Sequence, residues 1–340
     1  MAAPYGTPYD WAVDAPSSNK FTWNSGVRAI LMHPRLTFLS PEETKLWSML
    51  DEVRIDSLSP EWMQVTLGAI DPDNAFADSA DYSFTDGNVP TRIQNVCRIQ
   101  RKTVKLAGAS LVDRTFDAVG KLKMQQMDVR LRELKRDLNH ALWNSKIKLT
   151  NELAERRTRG LWQWLSTATG GSNISDGATA ALTETIFKQT MLKGVYDDNF
   201  EATDVFISPI LQNIVDNFFT STKPGFMDGA GKTITSYINK YVSPWSSSAV
   251  NLHTERSLYF DANPGSGETA LYTADSAVSN LGNVVAIQRD MFKKCIFRPL
   301  VMIEPEPHGD YWEGVYQIDW GVQALAGGLA GYALTHYDIS

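Results

Sequence analysis

A chain of 340 residues with 43% hydrophobic and 11% aromatic residues has enough apolar material for about two cores, which excludes a disordered protein. No apolar run approaches the roughly 20 residues that cross a bilayer. The opening MAAPYGTPYDWAVDAP lacks the basic and apolar regions of a secretion signal. Two distant cysteines, Cys97 and Cys295, form no disulfide framework and point to a reducing compartment, so the expected product is soluble and made inside a cell.

Residues 1–35 are rich in Pro, Ser, Ala and Asn without any period, which predicts an extended arm ordered only against something else. Ser40-Pro41-Glu42-Glu43 supplies an N-cap, a first-turn proline and an acidic third position, so a short helix is expected from Glu42 to Glu52. Residues 53–70 favour extended structure around Trp62, Val65 and Leu67. An acidic, turn-rich tip follows over residues 71–90, with Asp71, Asp73, Asp78, Asp81 and Asp86. The chain returns as one β-branched, basic strand from Arg92 to Leu106. Strand, tip and returning strand make a long hairpin whose end is too polar for a core.

That strand leads into the longest feature of the chain. Neither Gly nor Pro occurs between Lys121 and Arg159, and a helix from near Asp113 to near Leu149 would be roughly 50 Å long. Phe116, Val119, Leu122, Met127, Leu131, Leu134, Leu138 and Leu142 recur mostly at intervals of three or four, giving one apolar stripe. Arg130, Lys135, Arg136 and Asp137 lie off it. From Arg92 to Arg159 the chain carries a net charge of +10, which leaves -17 to the rest of a protein whose total is -7. A basic rod in an acidic surround can neutralise itself when copies pack side by side. A freestanding nucleic-acid binder would be basic as a whole.

Gly170-Gly171-Ser172-Asn173 marks a boundary. Beyond it, residues 180–290 read as a separate α/β unit. The pattern predicts a helix over Thr183–Tyr196, a buried strand at Asp204–Ile207 and a helix over Ile210–Phe219 capped by Ser208-Pro209. Loops are expected around 220–233 and 261–282. Near the end, Tyr316, Ile318, Trp320 and Val322 alternate with Gln317, Asp319, Gly321 and Gln323, the period of a half-buried strand.

Chemistry-bearing motifs are nearly absent. Gly229-Ala230-Gly231-Lys232-Thr233 has the end of a phosphate loop, but the required glycine is replaced by Phe226 and no apolar strand precedes it. Asp71 and Asp73 fit the first and third positions of a calcium loop, yet Ala75, Phe76 and Tyr82 stand where ligands and a glycine are needed. His33, His140, His253, His308 and His336 show no metal-ligand spacing. No nucleophile-elbow sequence occurs. Trp162 and Trp164 beside Arg156, Arg157 and Arg159 could stack on bases; an aromatic anchor for the end of the long helix is the preferred reading. No catalytic, cofactor or metal site is expected.

Several blocks together resemble the major capsid proteins of tailed phages with the Hong Kong 97-type fold: LSPEETKLWSML with EWMQVTL, TRIQNVCRIQRKTVKLAG with LRELKRDLNHALWN, DVFISPILQNIVDNF, and EGVYQIDWGVQALAGGLAGY. The resemblance implies an α+β fold with an N-terminal arm (1–50), an extended loop lying over the neighbouring subunit (51–106), a peripheral domain holding the spine helix (107–180 and 285–340), and an axial domain (181–284). It implies a shell of pentamers and hexamers around double-stranded DNA held non-specifically, with scaffolding, portal and decoration proteins as further partners, in a virion assembled in bacterial cytoplasm. Candidate subunit-interface residues are Trp62, Asp71, Asp73, Arg92, Arg98, Arg101, Arg130, Arg132 and Arg136. Helix signals begin only near Ser40, so a separate scaffolding protein, or none, is expected. The alternatives are a bacterial nanocompartment shell of the same fold and a non-shell nucleic-acid-binding protein using the basic helix.

Overall fold

The computed structural model describes residues 44–65, 67, 71–76, 78, 79, 81, 82, 84, 86–108, 122–147, 155–167, 173–197, 201–220, 240–242, 249–258, 282–306 and 309–338. The expected arm, the Ser40–Glu43 cap, Phe116 and Val119 of the stripe, and the Gly229–Thr233 loop lie outside them. In chain order the elements are α1 (Lys45–Met49), β1 (Asp51–Arg54), β2 (Glu61–Gln64), β3 (Thr91–Gln94), β4 (Arg98–Ala107), α2 (Leu122–Asn144), α3 (Leu161–Ser166), β5 (Ile174–Asp176), α4 (Glu184–Asp197), β6 (Asp204–Ile207), α5 (Pro209–Thr220), β7 (Lys240–Val242), β8 (Ala249–Thr254), β9 (Gly282–Ile287), β10 (Phe292–Ile303), β11 (Tyr311–Ala324) and β12 (Gly331–Tyr337).

Three sheets organise them. A four-stranded sheet runs β1-β10-β11-β4, a six-stranded sheet runs β5-β12-β9-β6-β8-β7, and β2 pairs with β3 alone. In the six-stranded sheet, β6 (DVFI) and β9 (GNVVAI) are buried at every position. Such unbroken burial suits central strands covered on both faces; α5 packs on β9 and α4 on β12. β9 and β12 hydrogen-bond into the α/β sheet, while β10 and β11 pair beside β4, so the closing strands contribute to both sheets.

The spine helix α2 is described over Leu122–Asn144, about 35 Å of rod; it ends before the expected Leu149, and the expected start near Asp113 lies outside the described residues. Its stripe is real: Leu134, Leu138 and Leu142 are fully buried with Ala141 and Trp143. The helix stops before Leu149 because the chain turns to meet α3: the Gly160 amide donates to the Ser145 carbonyl at 2.7 Å and the Ile147 amide to Gln163 Oε1 at 2.6 Å. Trp143 then packs tilted against Trp162 (6.3 Å) and edge-on to Phe206 (5.3 Å), joining helix, α3 and the α/β sheet in one core. Trp162 and Trp164 are thus buried anchors.

Gly160 makes that junction possible. A Cβ there would sit 2.8 Å from the Ser145 backbone nitrogen and oxygen and 2.9 Å from the Trp143 carbonyl. Backbone on all sides cannot give way, so Gly160→Ala is expected to destabilise the folded chain by about 2 kcal/mol or more, measured by urea unfolding.

Two further expectations are corrected. The strand read from Arg92 to Leu106 is broken into β3 and β4 by Asn95-Val96-Cys97, all three buried. Asn95 Nδ2 donates to the Val322 carbonyl (2.5 Å) and Thr158 Oγ1 (3.1 Å), and Oδ1 accepts from the Val96 and Arg159 amides (2.8 and 2.9 Å). The Glu42–Glu52 helix is only Lys45–Met49, since Asp51 already enters β1 beside β10.

The half-buried pattern of β11 also fails past Ile318, because Asp319, Trp320, Gly321 and Val322 are all buried. The second face is filled by Val96, Cys97 and Thr158 around Gly321, and Asp319 pairs with Arg298.

At the head of β6, burial raises the Asp204 carboxyl, but hydrogen bonds from His253 (3.0 Å), Thr203 (2.9 Å) and Asn251 (3.3 Å), with Arg289 at 3.9 Å, outweigh it and hold the group below its ordinary value. A folded pKa below the unfolded one adds stability that is complete above the unfolded value of 3.8 and is lost as pH falls through the folded value. As pH is lowered from about 4 through the depressed folded value the melting temperature should therefore fall, and Asp204→Asn should start lower and fall less.

Candidate assembly surface

The hairpin begins where β2 alternates: Glu61 and Met63 face outward, Trp62 and Gln64 inward. Trp62 packs 5.8 Å from Trp164, and Gln64 Nε2 donates to the Leu325 carbonyl at 2.5 Å. The pairing with β3 runs from Glu61↔Gln94 to Gln64↔Thr91 and stops there. This base is fixed to the core, and every described residue between Gln64 and Thr91 is exposed, as in a projecting segment.

The projecting segment is not simply polar. Leu67 is 87% exposed, Phe76 72%, Tyr82 90%, Phe84 94% and Val89 85%. Among the described residues, eight of the thirteen exposed large hydrophobics fall between Leu58 and Val89, so the surplus is concentrated in one segment. Asp71, Asp73, Asp78, Asp81 and Asp86 share it, all exposed; the Asp73 amide donates to Asp71 Oδ1 at 3.1 Å, closing a local turn. No cluster of three or more His, Cys, Asp or Glu side chains could hold a metal among the described residues.

A second apolar strip lies on β10. Register shifts between Ile296, Arg298 and Val301 bend the strand, and past the bend Leu300, Val301 and Ile303 are exposed. Rows across the sheet place Val301 beside Gln317 and Arg101, and Ile303 beside Val315 and Thr103. The other face of β4 lies under the spine, where Gln100 and Val104 are buried and Lys102 pairs with Asp137 at 2.8 Å. Two lysines tie this arm down: Lys123 to Glu304 (3.0 Å) over the Trp312 ring (4.3 Å), and Lys105 to Glu313 (3.3 Å) over Tyr311 (3.5 Å).

The interface candidates divide accordingly. Trp62 is turned into the core, Arg98 donates to Ser145 Oγ (3.4 Å), Arg92 pairs with Glu61, Arg130 with Glu133 (2.7 Å) and Arg132 with Asp128 (3.0 Å). These five are engaged within their own subunit. Asp71 and Asp73 at the tip, Arg101 on β4 and Arg136 on the spine are exposed. Sequence reasoning missed the apolar residues of the tip and the β10 strip. Their signal was large side chains without period among turn residues, where a core gives them no use.

Cys295 is the β10 partner of Gly321, and Cys97, in the break between β3 and β4, lies against the same glycine. Burial pushes the Cys97 thiol up to about 12 and the Cys295 thiol to about 11, so both stay protonated and unreactive.

A family model described as SU10 major capsid protein matches residues 16–326. Solved structures share the fold at low identity. A chain of the Cyanophage A-1(L) capsid asymmetric unit is 12% identical over 91% of this chain and 97% of its own, with a TM-score of 0.61. A chain of Mycobacterium phage Ogopogo is 13% identical over 89% and 95%, at 0.56. The holo-SrpI encapsulin complex of Synechococcus elongatus PCC 7942 is 12% identical over 92% and 93%, at 0.54. No curated protein sequence matches the chain.

Proposed function

Because this chain belongs to the SU10 major capsid protein family, we propose that the projecting hairpin is the segment through which its copies clasp one another. The protein is a tailed-phage major capsid protein with the α+β Hong Kong 97-type fold, and it self-associates into the capsid of the virion. The fold alone is shared with an encapsulin; the family match points to the phage shell. Its role is structural.

One observation carries the reading. A chain that buries Trp143, Trp320, Phe187, Phe206 and Phe292 completely leaves Tyr82 and Phe84 at least nine-tenths bare on a hairpin tip. Apolar side chains exposed together mark a contact surface. The tip of one subunit lies on a neighbour, with Phe76, Tyr82 and Phe84 on the Leu300–Val301–Ile303 strip and the tip aspartates toward Lys135 and Arg136 of the spine, which have no charged partner among the described residues. Repetition around pentamers and hexamers lets a modest contact suffice.

On this reading the four-stranded sheet with α2 is the peripheral domain, and the six-stranded sheet with α4 and α5 is the axial domain. The shell encloses double-stranded DNA without sequence preference and assembles in the host cytoplasm.

Because both native thiols are buried and protonated, a Phe84→Cys subunit offers a single reactive site. Labelling should be fast in the free subunit and at least about tenfold slower in assembled particles. Equal rates in both states would refute the docking of the tip.

A further inference from the structure

The four-stranded sheet has two edges of opposite charge. β1 and β4 stand at its ends, and they run in the same direction: β1 is parallel to β10, and β10 and β4 are both antiparallel to β11. Along β1 and the turn after it, Asp51, Glu52 and Asp56 are exposed with one cation, Arg54. Along β4 there are Arg98, Arg101, Lys102 and Lys105 and no acid. Glu52 already reaches Lys294 (3.1 Å), Lys102 reaches Asp137 (2.8 Å) and Lys105 reaches Glu313 (3.3 Å). Asp51, Asp56 and Arg101 have no charged partner among the described residues.

We propose that the acidic β1 edge of one copy faces the basic β4 edge of the next. This inference rests on the shell reading above and adds a second contact, separate from the hairpin. Charge on an edge strand prevents indiscriminate pairing between sheets; here the sign also chooses the partner. Two β4 edges repel, and so do two β1 edges, which disfavours a twofold contact through either. Unlike edges attract, and a contact between two different surfaces repeats head to tail and closes into a ring when the rotation allows. The pairing is through side chains across the edges, where opposite charges favour and like charges oppose the contact.

The test is a charge swap. One variant carries Arg101→Glu and Lys105→Glu, a second carries Asp51→Lys and Asp56→Lys, and a third carries all four. Thermal melts confirm that each unassembled subunit is folded; should loss of the Lys105–Glu313 pair unfold the first, Arg101→Glu with Thr103→Glu replaces it, both positions being exposed. The first two variants should each lose at least about tenfold in ring and particle yield, and the third should recover most of it. An equimolar mixture of the first two should build six-membered rings by alternation but no five-membered ones. Wild-type yield from either double variant, or a fourfold variant as poor as the worse double, overturns the proposal. A wild-type chain that never forms rings or shells would instead overturn the reading beneath it.

Discussion

Replacing Phe76, Tyr82 and Phe84 together by serine should leave the melting curve of the free subunit unchanged and abolish particle formation. The three rings are 72%, 90% and 94% exposed, so the folded subunit gains almost nothing from them. Serine substitutions on an exposed surface typically shift stability by no more than about 0.5 kcal/mol. In a shell the same rings would be covered. An aromatic side chain buries about 150–250 Å², which at about 25 cal/mol per Å² is worth several kcal/mol per subunit before the entropic cost of association. Losing that at every contact of a closed lattice leaves soluble subunits. Light scattering under assembly conditions reads the loss, and a melt of the same sample reads the unchanged fold. A subunit that still assembles with three serines would place the shell contacts elsewhere.

Asn95→Leu is the converse case, where nothing is lost from the surface and the subunit itself fails. Asn95 is fully buried. Its side chain satisfies the Val96 and Arg159 amides and the Val322 carbonyl, and it shares a hydrogen bond with Thr158. Leucine fills similar space and strands those groups without water. At about 1–3 kcal/mol for each unsatisfied buried group, the expected cost is about 3–5 kcal/mol, read by urea unfolding. The site also joins β3 to β4, so the hairpin should lose its fixed base. Asn95→Asp should be nearly as harmful, since it keeps the acceptors but removes the Nδ2 donations to Thr158, Arg159 and Val322.

These two positions show what the sequence could reveal. The hairpin, the spine stripe at Leu134, Leu138 and Leu142, the strand Asp204–Ile207 and the two helices around it follow local periodicity and turn chemistry, and all appear where that chemistry puts them. Asn95 does not, because a polar residue in an alternating run looks like a solvent-facing position. Its partners Thr158, Arg159 and Val322 lie 63, 64 and 227 residues away. The doubly buried end of β11 was hidden for the same reason, as was the membership of β9 and β12 in the α/β sheet. Arg132 was legible after all: Asp128 stands four residues before it, the spacing of a helical ion pair. For the assembly surface, charge drew attention to the aspartates of the tip, while the bare aromatics between them became visible only once the core was known to be full without them.

The central claim is that subunits close into a shell by laying the hairpin on a neighbour, and the position of residues 65–90 in assembled particles tests it most directly. A cryo-electron microscopy reconstruction of particles formed by the wild-type chain should show closed hollow icosahedra with Tyr82 and Phe84 buried against the β10 strip of an adjacent subunit. Closed particles in which the hairpin folds back on its own subunit, or in which both rings remain in solvent, would contradict it.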